Sequence, residues 1–169
     1  MKASRSEDLA NRHVGALTFG VLSDLEIEMT RVFDVPRHRV WDAHSRPDHV
    51  RHWWGPRGST LTTCEMDFRA GGKWRFVVGK PGGQEYGFRG EYLDVVAPEL
   101  IVQTFEFEGM PGSISVDTIT FAEHAGRTTL TCISRMDSIQ ARDAMLKSGM
   151  EAGAAETYDR LEELLKAPG

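Results

Sequence analysis

MLKSGMEAGAAETYDRLEELLK, residues 145–166, is the stretch on which the fold turns. Leu146, Met150, Gly153, Thr157, Leu161 and Leu164 recur at three- and four-residue steps. Glu151, Glu156, Asp159, Glu162 and Glu163 fall largely elsewhere, which is the pattern of an amphipathic helix with one apolar face. Traced back to Asp137, which with Gln140 can cap its start, the helix runs for about 28 residues, or about 40 Å at 1.5 Å per residue. No other segment is as long and as amphipathic, so any sheet the chain builds must bury its apolar face against this one.

The sequence before it reads as strands and turns. Leu25, Ile27 and Met29 alternate with Glu26, Glu28 and Thr30, the two-residue period of a half-buried strand over residues 25–34. Further strands are predicted over 60–68, 73–78, 86–96, 100–107, 115–121 and 128–136. They are separated by Gly71-Gly72, Pro81-Gly82-Gly83, Ala97-Pro98, Met110-Pro111-Gly112 and His124-Ala125-Gly126, connections of hairpin length. Between the first and second strands, Pro36 opens a short helix over 37–43, and a second follows over about 46–54, capped by Ser45 or Asp48 and stopped by Gly55-Pro56. The expected fold is α+β: a curved antiparallel sheet of about seven strands, two short helices after the first, and the long C-terminal helix across the concave face. Residues 1–24 lack a sustained period and read as an N-terminal extension, partly disordered or loosely docked, with the domain over 25–169.

Composition agrees with one ordinary globular domain: 169 residues, 40% hydrophobic and 27% charged. The formal net charge is -5, and acidic and basic residues are mixed along the chain, which argues against nucleic acid or an anionic membrane surface as partner. Residues 14–22 are too short and too glycine-containing for a signal peptide, and they lack a small-residue cleavage site. Cys64 and Cys132 have neither disulfide nor zinc spacing, so reduced thiols and a cytoplasmic location are expected. A homodimer is compatible with the sequence.

RVFDVP (31–36), VWDA (40–43), WWGP (53–56), RAGGKW (69–74), GEYLD (90–94), PEL (98–100) and DRL (159–161) occur in this order. As a set they resemble the activator-like branch of the START-like (SRPBCC, Bet v-like helix-grip) superfamily, named after the activator of the ninety-kilodalton heat-shock chaperone ATPase. The resemblance implies the helix-grip fold and a pocket, but no particular reaction, since related domains bind lipids, polyketides or hormones, act as cyclases, or assist chaperones. It also implies an alternative role as a chaperone-activator-like interaction protein. Those activators typically carry an additional N-terminal chaperone-binding domain, for which the first 24 residues are too short. Similar members often place tryptophan directly after the glycine of the long helix, where this chain has Ala154 after Gly153.

The expected site is a cavity between sheet and helix for a small apolar or aromatic ligand. Arg31, Phe33, Trp53, Trp54, Trp74, Phe76, Phe88, Tyr92, Phe105, Met136, Met145, Met150 and Ala154 are its candidate lining. Each also suits an ordinary core. The small centre of the helix, with Gly149, Ala152, Gly153, Ala154 and Ala155, either lets it lie close on the sheet or leaves room for ligand. Consecutive tryptophans on a helix point apart, so one of Trp53 and Trp54 packs inward and the other edges an opening, or both fasten the helix. Arg31 at inward parity needs a carboxylate partner or an anionic ligand group. His49 and His52 share a helical face, but no third ligand accompanies them, and neither metal nor cofactor is expected. No nucleophile triad, phosphate loop or dinucleotide fingerprint occurs, so a cyclase or hydrolase is the less favoured reading.

Overall fold

The computed structural model describes residues 12–167. Nine strands form one antiparallel sheet: β1 (Arg12–Val14), β2 (Leu17–Val21), β3 (Glu26–Phe33), β4 (Thr60–Met66), β5 (Lys73–Gly79), β6 (Glu85–Val96), β7 (Leu100–Phe107), β8 (Ile114–His124) and β9 (Arg127–Arg135). Their order is β1-β2-β3-β9-β8-β7-β6-β5-β4. The sheet therefore has nine strands, where about seven were expected. The two additional ones lie in the segment 1–24 that the sequence suggested as an extension. A turn at Gly15 (φ 61) folds β1 onto β2, and β2 pairs with β3 and buries Leu17 and Phe19. Residues 1–11 of that segment lie outside the described residues.

Strand pairing stacks the concave face in layers. At one end Cys64, Phe76, Phe88 and Phe107 stand side by side across β4 to β7. Next come Met66, Trp74 and Gly90, with Phe105 paired to Ser115. The third layer, Tyr92, Gln103, Asp117, Ser134 and Ile27, is mostly polar. Beyond it Ile101, Ile119, Cys132, Met29 and Phe19 form an apolar layer, followed by Phe121, Leu130 and Arg31.

Four helices complete the described residues. The first, α1 (Arg37–Ser45), buries Val40, Trp41 and Ala43, and α2 is a single turn (Pro47–Val50) opened by Pro47. The second helix is thus shorter than the expected 46–54. It lacks a side-chain cap, Ser45 and Asp48 included, and residues 51–54 continue as turns that Gly55 (φ 106) diverts toward β4. The C-terminal helix is not continuous either. It is divided into α3 (Ile139–Lys147) and α4 (Met150–Lys166), because Gly149 adopts the left-handed conformation (φ 75) that ends one helix and starts the next. Ser138, not Asp137, caps α3, accepting from the backbone N–H of Ala141.

One buried charge ties α4 to the sheet. Arg31 on β3 is 1% exposed; its Nη1 donates to Asp159 Oδ1 at 2.8 Å and its Nη2 to Glu162 Oε2 at 3.2 Å. The helix is also held near the opposite sheet edge, where Arg160 donates to the carbonyls of Gly55 and Pro56 and Arg57 pairs with Glu163. It touches β1 and β2 as well, so the sheet must curl around it.

The triad is asymmetric, since Asp159 and Glu162 are partly solvated and Arg31 is not. Removing both carboxylates (Asp159→Ala with Glu162→Ala) strands a buried guanidinium and should cost about 3 kcal/mol. Arg31→Met lets the carboxylates rehydrate and should cost less in urea unfolding; the reverse ranking would show that the pairing is not what holds α4. In the same assay Gly153→Ala should stabilise by up to about 1 kcal/mol, because a Cβ there meets nothing within 4 Å. Gly149→Ala should instead destabilise, because its φ is left-handed.

Candidate functional site

Trp54, Trp74, Phe76, Phe88 and Phe105 meet at the open end of the concave face. Trp54 lies edge-on to Phe76 and Phe88, with ring centroids 5.0 and 5.2 Å away. Trp74 packs on Phe76 at 4.9 Å and on Phe105 at 5.8 Å, and Phe88 on Phe105 at 5.6 Å. The indole of Trp74 leans across Gly90, where a Cβ would stand 2.0 Å from the Thr104 carbonyl oxygen and 2.6 Å from Trp74 Nε1, so only glycine fits. Met145 on α3 and Met150 and Ala154 on α4 pack against the core from the helical side. Trp54, Phe88, Phe105, Met145, Met150, Ala154 and Tyr158 pack against the core yet are only half-buried. Nearby, Tyr86 at the start of β6 is 47% exposed and Met110 in the β7–β8 turn 59%. The arrangement is an apolar cluster that is incompletely covered at this end.

The other candidates lie elsewhere or beneath. Tyr92 and Met136 are buried in the floor. Phe33 lies at the far, closed end, 6.3 Å from the Tyr158 ring. Trp53 is buried, and its Nε1 donates to the carbonyl of Ala43, so it fastens the α2 turn to α1. Arg31 is engaged with Asp159 and Glu162 of α4 and is not brought among these rings. His49 and His52 flank a separate cleft of about 460 Å³ between α1, α2 and the end of α4. Among the described residues, no group of three or more potential ligands could hold a metal ion. A second cleft, of about 520 Å³, opens on the charged face of the sheet among Glu65, Arg75, Arg89, Glu91 and Glu106, and Trp74, Gly90 and Thr104 line it as well. Neither cleft lies between sheet and C-terminal helices.

Sequence reasoning missed the polar floor. Asp117 is 8% exposed and accepts from Ser134 Oγ at 2.7 Å, with Ser115 and Gln103 alongside. Burial pushes its carboxyl up to about 6, and these hydrogen bonds oppose the shift. Burial and then the Asp117 charge hold the Cys132 thiol well above its ordinary range, and burial chiefly does the same to the Tyr158 phenol. The signal was available: Ser115, Asp117, Ile119 and Phe121 alternate with Val116, Thr118 and Thr120, so Asp117 shares the parity of two core residues.

A family model described as activator of Hsp90 ATPase homolog 1-like protein matches residues 34–166. The chain is similar to a solved Rhodobacter sphaeroides protein at 25% identity and TM-score 0.85, over 91% of this chain and 100% of that one. It is also similar to protein Ms6760 of Mycobacterium smegmatis, at 25% identity and TM-score 0.79 over 94% and 99% of the two chains. An AHSA1 protein of Silicibacter pomeroyi shares the fold at 22% identity and TM-score 0.70, over 83% and 96%. No curated protein matches the chain.

The titration of the floor has a measurable sign. Asp117 titrates near 6 when folded against an ordinary 3.8, so between these values the folded state holds a proton the unfolded chain has lost, and stability falls as pH rises. His44, packed against Trp53 and Phe121, is lowered by burial from 6.5 to about 4, so over nearly the same window its contribution rises with pH. The two slopes oppose each other. Asp117→Asn removes the falling one, so its stability should climb with pH more steeply than wild type, by about 2–3 kcal/mol across the window. Urea unfolding at about pH 4.5, 5.5 and 6.5 measures this, and parallel curves would refute the raised carboxyl.

Proposed function

The chain belongs to the family of activator of Hsp90 ATPase homolog 1-like proteins, START-like in fold, and on that premise we propose that it binds a small apolar or aromatic molecule, without catalysis, in the groove between its sheet and its C-terminal helices. The observation that carries this reading is incomplete burial: Trp54, Phe88, Phe105, Met145, Met150 and Ala154 line facing walls and are all half-buried. A close-packed core leaves no such residues accessible on both sides of an interface. An apolar concavity with a few polar groups is what small ligands use.

The ionisable groups support binding over catalysis. Asp117 is held by Ser134 and Arg31 by Asp159 and Glu162, which leaves neither as a pocket acid or base without a structural partner. Cys64 and Cys132 are free and buried, which supports a reducing cytoplasmic setting. No helix of the described residues is long and apolar enough to cross a membrane. The family description favours one alternative, a chaperone-directed interaction, which stimulation of a partner chaperone's ATPase by the purified chain would support.

Native mass spectrometry of protein purified from its own source should find a small molecule retained, and Ala154→Trp should eject it. If the ring fills open space it recovers about 25 cal/mol per Å² of buried apolar surface and raises the melting temperature. If the interior beneath Ala154 is closed, overpacking costs about 1–3 kcal/mol instead. A folded Ala154→Trp variant that melts well below wild type would exclude a groove at this position.

A further inference from the structure

Residues 137–148 join the end of the sheet to α4 between two fixed points. On one side β9 ends at Arg135, and the backbone N–H of Met136 donates to the carbonyl of Leu25 at 2.8 Å, so the chain is held up to that residue. On the other side α4 is pinned to the sheet through Asp159 and Glu162 and to the carbonyls of Gly55 and Pro56 through Arg160. Between them α3 buries none of its residues: Ala141, Met145 and Leu146 reach the core only in part, and Ile139 is 44% exposed. Sparse apolar contact is the mark of a segment that opens before the rest of a fold. Among the described residues, Arg142 makes the polar contact between α3 and the β2–β3 turn. Its Nη1 donates to the carbonyl of Ser23 at 2.9 Å, its Nη2 turns back to Asp143 on the same helix, and its Nε is buried without an acceptor. One hydrogen bond therefore latches the helix. At its far end Gly149 (φ 75) leads into α4; glycine passes between left- and right-handed conformations at little cost, and no neighbour crowds it.

Resting on the groove reading above, we propose that residues 137–148 form a strap that lifts off as a unit while β9 and α4 stay in place, and that its lifting is how a small apolar molecule reaches the rings. With the strap down, Trp54, Phe88 and Phe105 pack on one another, and Met145 lies against the core from the helical side. Raising α3 withdraws Ala141, Met145 and Leu146 and bares that side of the cluster. The opening equilibrium is set by the small apolar area under α3 and by the Arg142 latch.

Hydrogen exchange of the full-length protein, followed by mass spectrometry, tests the strap. The amides of Asp143 to Lys147 should exchange together and at least about tenfold faster than those of Ala155 to Leu165 in α4. Arg142→Ala should quicken the α3 amides about fivefold, the worth of one hydrogen bond, and leave α4 unchanged. Association of the uncharged fluorophore phenylnaphthylamine, followed by stopped flow, should quicken by the same factor, because the open fraction limits entry. Exchange of α3 at the rate of α4, or an Arg142→Ala variant that speeds neither helix or both alike, would overturn the strap. A fluorophore that binds but associates at an unchanged rate would overturn the route and leave the groove reading standing. A fluorophore that neither protein binds would overturn the groove reading and the route with it. Should Arg142→Ala not fold, the ranking of α3 and α4 in wild-type protein decides alone.

Discussion

The rest of the structure depends on where the helix α4 lies, and a single buried guanidinium decides that. Arg31 sits in the layer formed with Phe121 and Leu130, where an unpaired charge would be untenable, so α4 must present Asp159 and Glu162 at that height. The same two carboxylates are partly hydrated, so the pairing desolvates one ion fully and the others only in part. Phe33 adds the face of its ring, 5.6 Å from the guanidinium carbon. With this end of α4 held low, Leu161 and Leu165 are buried, while Met150 and Ala154, toward the helix start, are not.

This pinning and the strand register together explain why the interior is not uniform. Below the layer of Asp117 the interior is closed and, Arg31 apart, largely apolar, with Ile101, Leu130 and Leu161 at 2% exposure or less. Above it the rings of Phe88, Phe105 and Trp54 touch one another but are not covered. The polar layer between the two is well satisfied, which is the condition for tolerating a carboxyl at such depth. The family match and the shared fold with bacterial relatives concern the whole arrangement, and the polarity of this one layer is a property of individual residues.

Most of the architecture was legible in the sequence because hairpin strands announce themselves twice, by alternation and by turn residues. Residues 100–107 are an example, where the expected and observed strands coincide. The parts that escaped had weaker local signals. The β1–β2 hairpin is only eight residues of strand, carries Gly20 within it, and gains its burial from β3, which no local pattern reveals. The break at Gly149 was masked by a periodicity that runs through it, since Leu146 and Met150 keep helical spacing on either side. Arg31 was legible as a residue in need of a partner, but Asp159 and Glu162 lie more than 120 positions away and look like a solvated helical face until the fold is known. Asp117 was readable by parity and escaped because a carboxylate on a strand is more often outside.

The layering also has an evolutionary meaning. Substitution in a closed layer disturbs many neighbours at once, whereas a half-covered ring such as Phe88 or Phe105 can be exchanged with little loss of packing. Arg31, Asp159 and the aliphatic layers around them hold the scaffold still, and the rim is free to drift. A lineage built on this plan can therefore change the chemistry it recognises without having to reinvent the fold that presents it.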